Sequence, residues 1–383
     1  MKTGRFKIES NDWLAQLAIG LVLIALFAIQ LPEGGALLLV PALLLVYMQR
    51  STIHIEPELK RIGAVFILYV LFFTVVSTDP SRSAKGAYDI VRSLLVFFPA
   101  VWLGGQLTKV HGKSIGLSIG LLFILANFAF PGTNGDQEFY GFHDNPNNVA
   151  VTLTGYLFLL VALYPKQHDG SRKWHLLAFI TALCAALFLL ALANSRGSWL
   201  GVAVAFYLIA LLQKNIANRI KIALFFAVGA GLLALVVLVD LKGFGYGTVG
   251  ARIEIWKGLW ALTVTDHLWL GYGINSVKDI LTASALPTLT AHNIFLELFV
   301  STGLIGVAAF TYIAYRLSVF LIKQRYAGGP VLYAGIGGLA AFLVMGQFDL
   351  KFASYKFIAM VSCFLGLIYS QRLQTTTGEQ GSK

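Results

Sequence analysis

Apolar residues run along this chain in blocks of roughly 16 to 22, separated by short polar stretches. The blocks are apolar all round, without the polar face that a soluble helix or strand would show. That pattern predicts helices crossing a bilayer, because lipid leaves each backbone group to pair within its own segment. Twelve blocks emerge, over residues 13–31, 35–49, 62–77, 89–106, 114–130, 148–164, 174–193, 196–212, 220–239, 292–321, 330–346 and 353–370. The predicted fold class is an all-α integral membrane protein of about twelve transmembrane helices, one polytopic membrane domain over residues 1–383.

The connections between blocks give the orientation. With the N-terminus in the cytoplasm, eighteen Lys and Arg residues fall on the inner side and ten on the outer, Arg316 lying inside a span. The positive-inside rule therefore predicts cytoplasmic N- and C-termini. The run from Leu14 to Leu31 is too long for a signal-peptide core and lacks a small-x-small cleavage site, so it reads as a retained first span. Composition agrees: 57% of residues are hydrophobic, 12% are charged, and the net charge of +11 follows largely from topology. Nothing here calls for nucleic acid. Cys184 and Cys363 both fall inside apolar blocks, where they behave as small hydrophobes, and no disulfide is expected.

One stretch stands against the pattern. "FLLALANSRGSWLGVAVAFYLIALL", residues 188–212, carries Arg196 near its middle, where an unpaired guanidinium would cost about 2.5 to 3.5 kcal/mol. The topology resolves this by making "NSRGS" an outer hairpin, with Arg196 at the outer interface.

Other outer connections carry similar chemistry. The connection "STDPSRSAKGAYDIVR" holds Arg82, Lys85 and Arg92, and "PGTNGDQEFYGFHDNPNNVA" holds Asn145 and Asn147 ahead of the sixth span. The longest, residues 240–290, is predicted as an outer loop. It contains a short interfacial amphipathic helix with an Ile253, Trp256 and Trp260 stripe, and with Arg252, Glu254 and Lys257 off that stripe. His292 and Asn293 stand at the outer mouth of the tenth span.

Each residue alone has a plainer explanation. Arg196 could snorkel to headgroups, Arg252 could anchor at the interface, His292 could bond a headgroup, and the Asn-Pro-Asn run could be a helix cap. Together, several cations and one imidazole on separate outer loops predict a shared outer cavity for a polyanionic lipid headgroup. Guanidinium forks match phosphate oxygens bidentately and stay charged. The sequence has no H-E-x-x-H, His/Cys cluster or outer D-x-D pair, so neither a metal nor any other cofactor is expected.

The segments "SRGSWLG", "FHDNPNNVA", "ARIEIWKGLW" followed by "HLWLGYGINS", and "AHNIFLELFVSTGLIG" together resemble the O-antigen ligase and polymerase family of bacterial surface-polysaccharide assembly, over roughly residues 140–310. The resemblance implies a GT-C-like helical bundle with one longer periplasmic loop, in the bacterial inner membrane. It also implies metal-independent transfer, on the periplasmic face, of a glycan from undecaprenyl diphosphate to the lipid A core oligosaccharide. By the same resemblance Arg196 and Arg252 correspond to diphosphate-binding arginines, His292 to an essential histidine, and Asn145 and Asn147 to the donor site. Arg82, Lys85, Arg92 and Asn293 are further candidates for substrate binding.

On this reading the arginines stabilise the leaving diphosphate. A neutral His292, its neutral form favoured by neighbouring guanidinium charge, takes the acceptor hydroxyl's proton during inverting attack. Two alternatives stay open. A polymerase would use a second lipid-linked glycan as acceptor, and a transporter or flippase for lipid-linked glycans would share the spans and the basic cavity. Transporters, however, place ionisable groups near the bilayer midplane.

Overall fold

The computed structural model describes residues 12–28, 55–129, 132–133, 139–141, 146–164, 172–193, 195–213, 216–241, 249–284, 291–324, 326, 328–348 and 354–380. Fourteen helices appear among them: α1 (Asp12–Ala28), α2 (Pro57–Val75), α3 (Pro80–Leu94), α4 (Phe97–Gln106), α5 (Val110–Ala129), α6 (Pro146–Ala162), α7 (Arg172–Leu192), α8 (Arg196–Leu212), α9 (Asn218–Leu241), α10 (Val249–Asp266), α11 (Val277–Ala283), α12 (Ile294–Lys323), α13 (Pro330–Met345) and α14 (Tyr355–Gln380). Between α5 and α6, β1 (Gly132–Thr133) and β2 (Phe139–Gly141) form a small antiparallel pair, a minor departure from an all-helical chain. The predicted second span, 35–49, lies outside the described residues.

Four of the described helical stretches are long and apolar enough to cross a membrane: Pro80–Gln106, Gly112–Ala129, Lys173–Leu192 and Ile294–Lys323. Shorter apolar helices over Ala15–Ile24, Val149–Ala162, Arg196–Leu212 and Pro330–Met345 accompany them. The chain is a multi-pass helical membrane protein.

The connection expected at residues 77–92 is instead helix. Asp79 caps α3 by accepting a hydrogen bond from Arg82 N at 3.0 Å, and Pro80 occupies the first turn, where its missing N–H costs nothing. Arg82, Lys85, Asp89 and Arg92 recur at helical spacing on one side, while Ser83, Gly86, Ala87, Ile90 and Ser93 are buried on the other.

The core gathers around α13, which packs on α6, α8 and α14, and α14 in turn packs on α4. A Cβ on Gly201 of α8 would lie 2.7 Å from the Ala341 carbonyl oxygen, so these two backbones meet with no side chain between them. Small residues at such crossings are how helices pack closely without a hydrophobic drive from water. Gly337 of α13 lies against Ile209, so α8 runs antiparallel to α13 and begins where α13 ends.

The tenth predicted span is broken. In α12, Gly303 adopts φ 60° and ψ −167°, a region open in practice only to glycine. The break leaves Val300 O and Ser301 O without their usual partners, Leu304 N and Ile305 N. The turn after α10 supplies replacements: Tyr272 N and Gly273 N donate to Val300 O and Ser301 O at 2.9 and 2.8 Å. In return Leu304 N and Ile305 N donate to Leu268 O and Trp269 O at 2.9 and 3.2 Å. Two helical turns thus exchange hydrogen bonds, and "HLWLGYGINS" is sewn into the gap in "FVSTGLIG". Irregular backbone inside a membrane protein is tolerated where protein satisfies it in this way.

Candidate functional site at one end of the bundle

The exchange fixes the turn after α10 against the N-terminal half of α12, and the candidate residues lie around that junction. His292 directly precedes the N-cap of α12 and has φ 52°, a left-handed conformation uncommon outside glycine. Four hydrogen bonds hold it there. Asn293 Oδ1 accepts from Phe295 N and Leu296 N at 3.0 and 2.9 Å, Ile294 N donates to Gly346 O at the end of α13 at 2.9 Å, and Trp256 Nε1 donates to Ala291 O at 2.7 Å. The His292 ring is half-buried, with Nδ1 screened from solvent.

Arg252 lies one helical turn before Trp256 on α10 and is half-buried. The Trp256–Ala291 bond therefore ties the helical turn after Arg252 to the residue next to His292. Arg196 is the first residue of α8 and is exposed. The start of α8 is pinned by its cap, where Ser195 Oγ accepts from Ser198 N and lies 2.9 Å from Ser198 Oγ. Because α8 begins where α13 ends, and α12 is tied to Gly346, Arg196, Arg252 and His292 share one end of the bundle. The N-termini of α8 and α12 both lie near the C-terminal end of α13, and both present partial positive charge.

The other candidates fare differently. Arg82 is ion-paired with Asp279 of α11. Arg92 pairs with Asp89 at 2.8 Å and lies over the rings of Tyr88 and Tyr355, which makes it a packing element of α3. Lys85 is exposed. These residues stay close to the same end, because Ser83 Oγ donates to Ile274 O at 2.9 Å and Thr78 N to Tyr272 O at 3.1 Å. Asn293 is a structural cap. Asn145 lies outside the described residues; Asn147 lies in the first turn of α6, and its side chain lies outside the described set.

On α10 the expected stripe of Ile253, Trp256 and Trp260 is exposed or half-buried, and a second apolar set faces the protein. Ile255, Leu259 and Thr263 are buried, the first two packing with Val277, Leu281, Ala291 and Val300, whereas Ile253 and Trp260 are exposed. The helix is longer than expected and packs against α12.

The sequence reading missed three features. Glu297 is 5% exposed in the first turn of α12, and an acid within an apolar span was itself the signal. The Trp256 bond and the backbone exchange had no local signature. Tyr272, on the docked turn, has its hydroxyl pKa raised, chiefly by burial and then by the Asp266 carboxylate 3.3 Å away. Trp199, Trp260 and Trp269 are exposed at this end, as tryptophans are at a membrane–water interface. Among the described residues, no three His, Cys, Asp or Glu side chains gather as a cation site.

Trp256→Phe tests the link between Arg252 and His292, because it keeps the ring and removes only the N–H. Transfer is expected to fall about tenfold, with the thermal midpoint lowered by no more than a few degrees, the loss of about one hydrogen bond. Wild-type turnover would show that the bond positions nothing.

The family model described as O-antigen ligase matches residues 177–311. A protein of Haemophilus influenzae (strain ATCC 51907 / DSM 11121 / KW20 / Rd), named as uncharacterized, is 22% identical over 353 residues, covering 80% of this chain and 84% of its own. The matched stretch holds Arg196, Arg252 and His292, while Arg82, Lys85, Arg92, Asn145 and Asn147 precede it. Over residues 177–311, from α7 to the middle of α12, the chain is O-antigen ligase-like.

Proposed function

We propose that this protein is an O-antigen ligase of the bacterial inner membrane, a single polytopic domain of about twelve spans with both termini cytoplasmic. It transfers a glycan from undecaprenyl diphosphate to the lipid A core on the periplasmic face. The observation that supports the proposal is that the Trp256–Ala291 and Ile294–Gly346 bonds tie α10, the start of α12 and the end of α13 together, at the end of the bundle where α8 begins.

Arg196 and Arg252 hold the donor diphosphate and offset the charge that grows on it as the glycosidic bond breaks. The N-termini of α8 and α12 add to that field. His292 accepts the proton from the acceptor hydroxyl as its oxygen attacks the anomeric carbon, and the configuration inverts. No step calls on a metal.

Purified protein in EDTA, offered a lipid-linked donor with either lipid A core or a second lipid-linked glycan, tests the reading. Product on the lipid A core is expected, and Arg196→Ala and Arg252→Ala each lower it by about 10²- to 10³-fold while membrane insertion is kept. Elongated lipid-linked glycan alone would make the enzyme a polymerase, and full activity in either variant would remove that arginine from the site.

A further inference from the structure

At the opposite end of α12 from His292, a cavity of 620 Å³ opens between α2 and α12. Glu58, Arg61 and Arg316 form its polar part, and Val65, Tyr312 and Ile313 line its apolar part. Arg316 is 24 residues beyond His292, about 35 Å along a helix rising about 1.5 Å per residue. That distance matches the hydrocarbon thickness of a bilayer, so the cavity belongs to the other membrane interface.

Ionisable groups in a membrane segment mark a site by default, and their partners identify it. Arg316 donates to Glu58 Oε1 at 3.2 Å and to Tyr312 Oη at 3.1 Å, which uses only part of its five-donor fork. Arg61 is exposed beside it. Two guanidiniums against one carboxylate leave a single net positive charge. Along α2 the lining changes from Glu58 and Arg61 to Val65, and along α12 from Arg316 to Ile313 and Tyr312. Cationic at the interface and apolar toward the membrane, the cavity has the polarity profile of a phospholipid.

We infer that this cavity binds the headgroup of an anionic phospholipid, its phosphate against Arg61 and Arg316 and the upper part of one acyl chain along Val65 and Ile313. Lys, Arg and aromatic groups between helices are the chemistry that recognises such headgroups. The inference stands apart from the transfer chemistry at the other end of the bundle.

Native mass spectrometry of the detergent-purified full chain tests it, with phosphatidylglycerol, phosphatidylcholine or glycerol phosphate added in turn. The expected result is a one-to-one phosphatidylglycerol adduct about tenfold more abundant than the phosphatidylcholine adduct, and no glycerol phosphate adduct. The Arg61→Ala/Arg316→Ala double variant lowers it to the phosphatidylcholine level. Val65→Trp, which fills the cavity without touching the charges, does the same, whereas Arg219→Ala leaves it intact. Equal binding of the two lipids, an adduct that survives Val65→Trp, or binding of glycerol phosphate in place of lipid would overturn the inference.

Discussion

His292→Asn lowers glycan transfer by about 10²- to 10⁴-fold, the span expected for loss of general base catalysis, while the protein inserts, purifies and melts as the wild type does. The choice of asparagine follows from the backbone. At φ 52° His292 already carries its Cβ in the left-handed region, where histidine and asparagine are enriched and alanine is not, so alanine would mix a folding defect with a chemical one. Asparagine tolerates the left-handed region and cannot accept a proton at neutral pH. Asn293 still caps α12, and Ile294 still reaches Gly346, so the scaffold around the missing imidazole stays in place. Transfer rates and thermal midpoints measured together decide the matter. Near-normal turnover would end the assignment of His292 as the base, and a large drop in midpoint would make its role structural.

The second large effect is predicted far from any reacting atom. Gly303→Ala destabilises the protein by about 3 kcal/mol, the upper end for a residue forced into a conformation that only glycine adopts. A Cβ there would lie 2.4 Å from the Trp269 carbonyl carbon and 2.5 Å from its oxygen, so the clash is with backbone and cannot be relieved by a rotamer change. The four exchanged hydrogen bonds then part, and the turn carrying Gly271 and Gly273 loses its seat on α12. Because that turn holds α10 against α12, Arg252 moves away from His292, and transfer falls with stability. A lower thermal midpoint with reduced transfer in the membrane-inserted variant is the expected outcome. A variant that melts and turns over like the wild type would show that the exchange carries no weight.

These effects also show why some of the fold was legible in the sequence and some was not. Apolar blocks with no polar face can satisfy their backbone only as helices, so their helical character followed from composition alone. Local start signals stood in the sequence, with Pro57, Pro80 and Pro330 in first turns and Asn293 as a cap, but only Pro330 coincides with the start of a predicted block. Helix α3 was missed because its periodicity is carried by charges; Arg82, Lys85, Asp89 and Arg92 mark a polar face as clearly as leucines would mark an apolar one. On α10 both faces offer apolar residues at helical spacing, and only the neighbours chosen in three dimensions bury Ile255 and Leu259 in place of Ile253 and Trp260.

The candidate site divides in the same way. Arg196, Arg252 and His292 stood out because each is polar where the surrounding chain is apolar. Arg82 and Arg92 stood out for the same reason, yet their partners Asp279 and Asp89 give them structural work, and charge pairing across 197 residues of chain, as for Arg82, has no local signature. The exchange at Gly303 is the extreme case. A glycine in an apolar run reads locally only as a weak point, and its meaning lies in a turn some thirty residues earlier in the chain.

An experimental structure with undecaprenyl diphosphate bound is the most direct test of the account. It should place phosphate oxygens about 3 Å from the guanidinium groups of Arg196 and Arg252, with the His292 ring facing the same space. A diphosphate held elsewhere, with Arg196 turned to lipid and His292 remote from the phosphates, would contradict it.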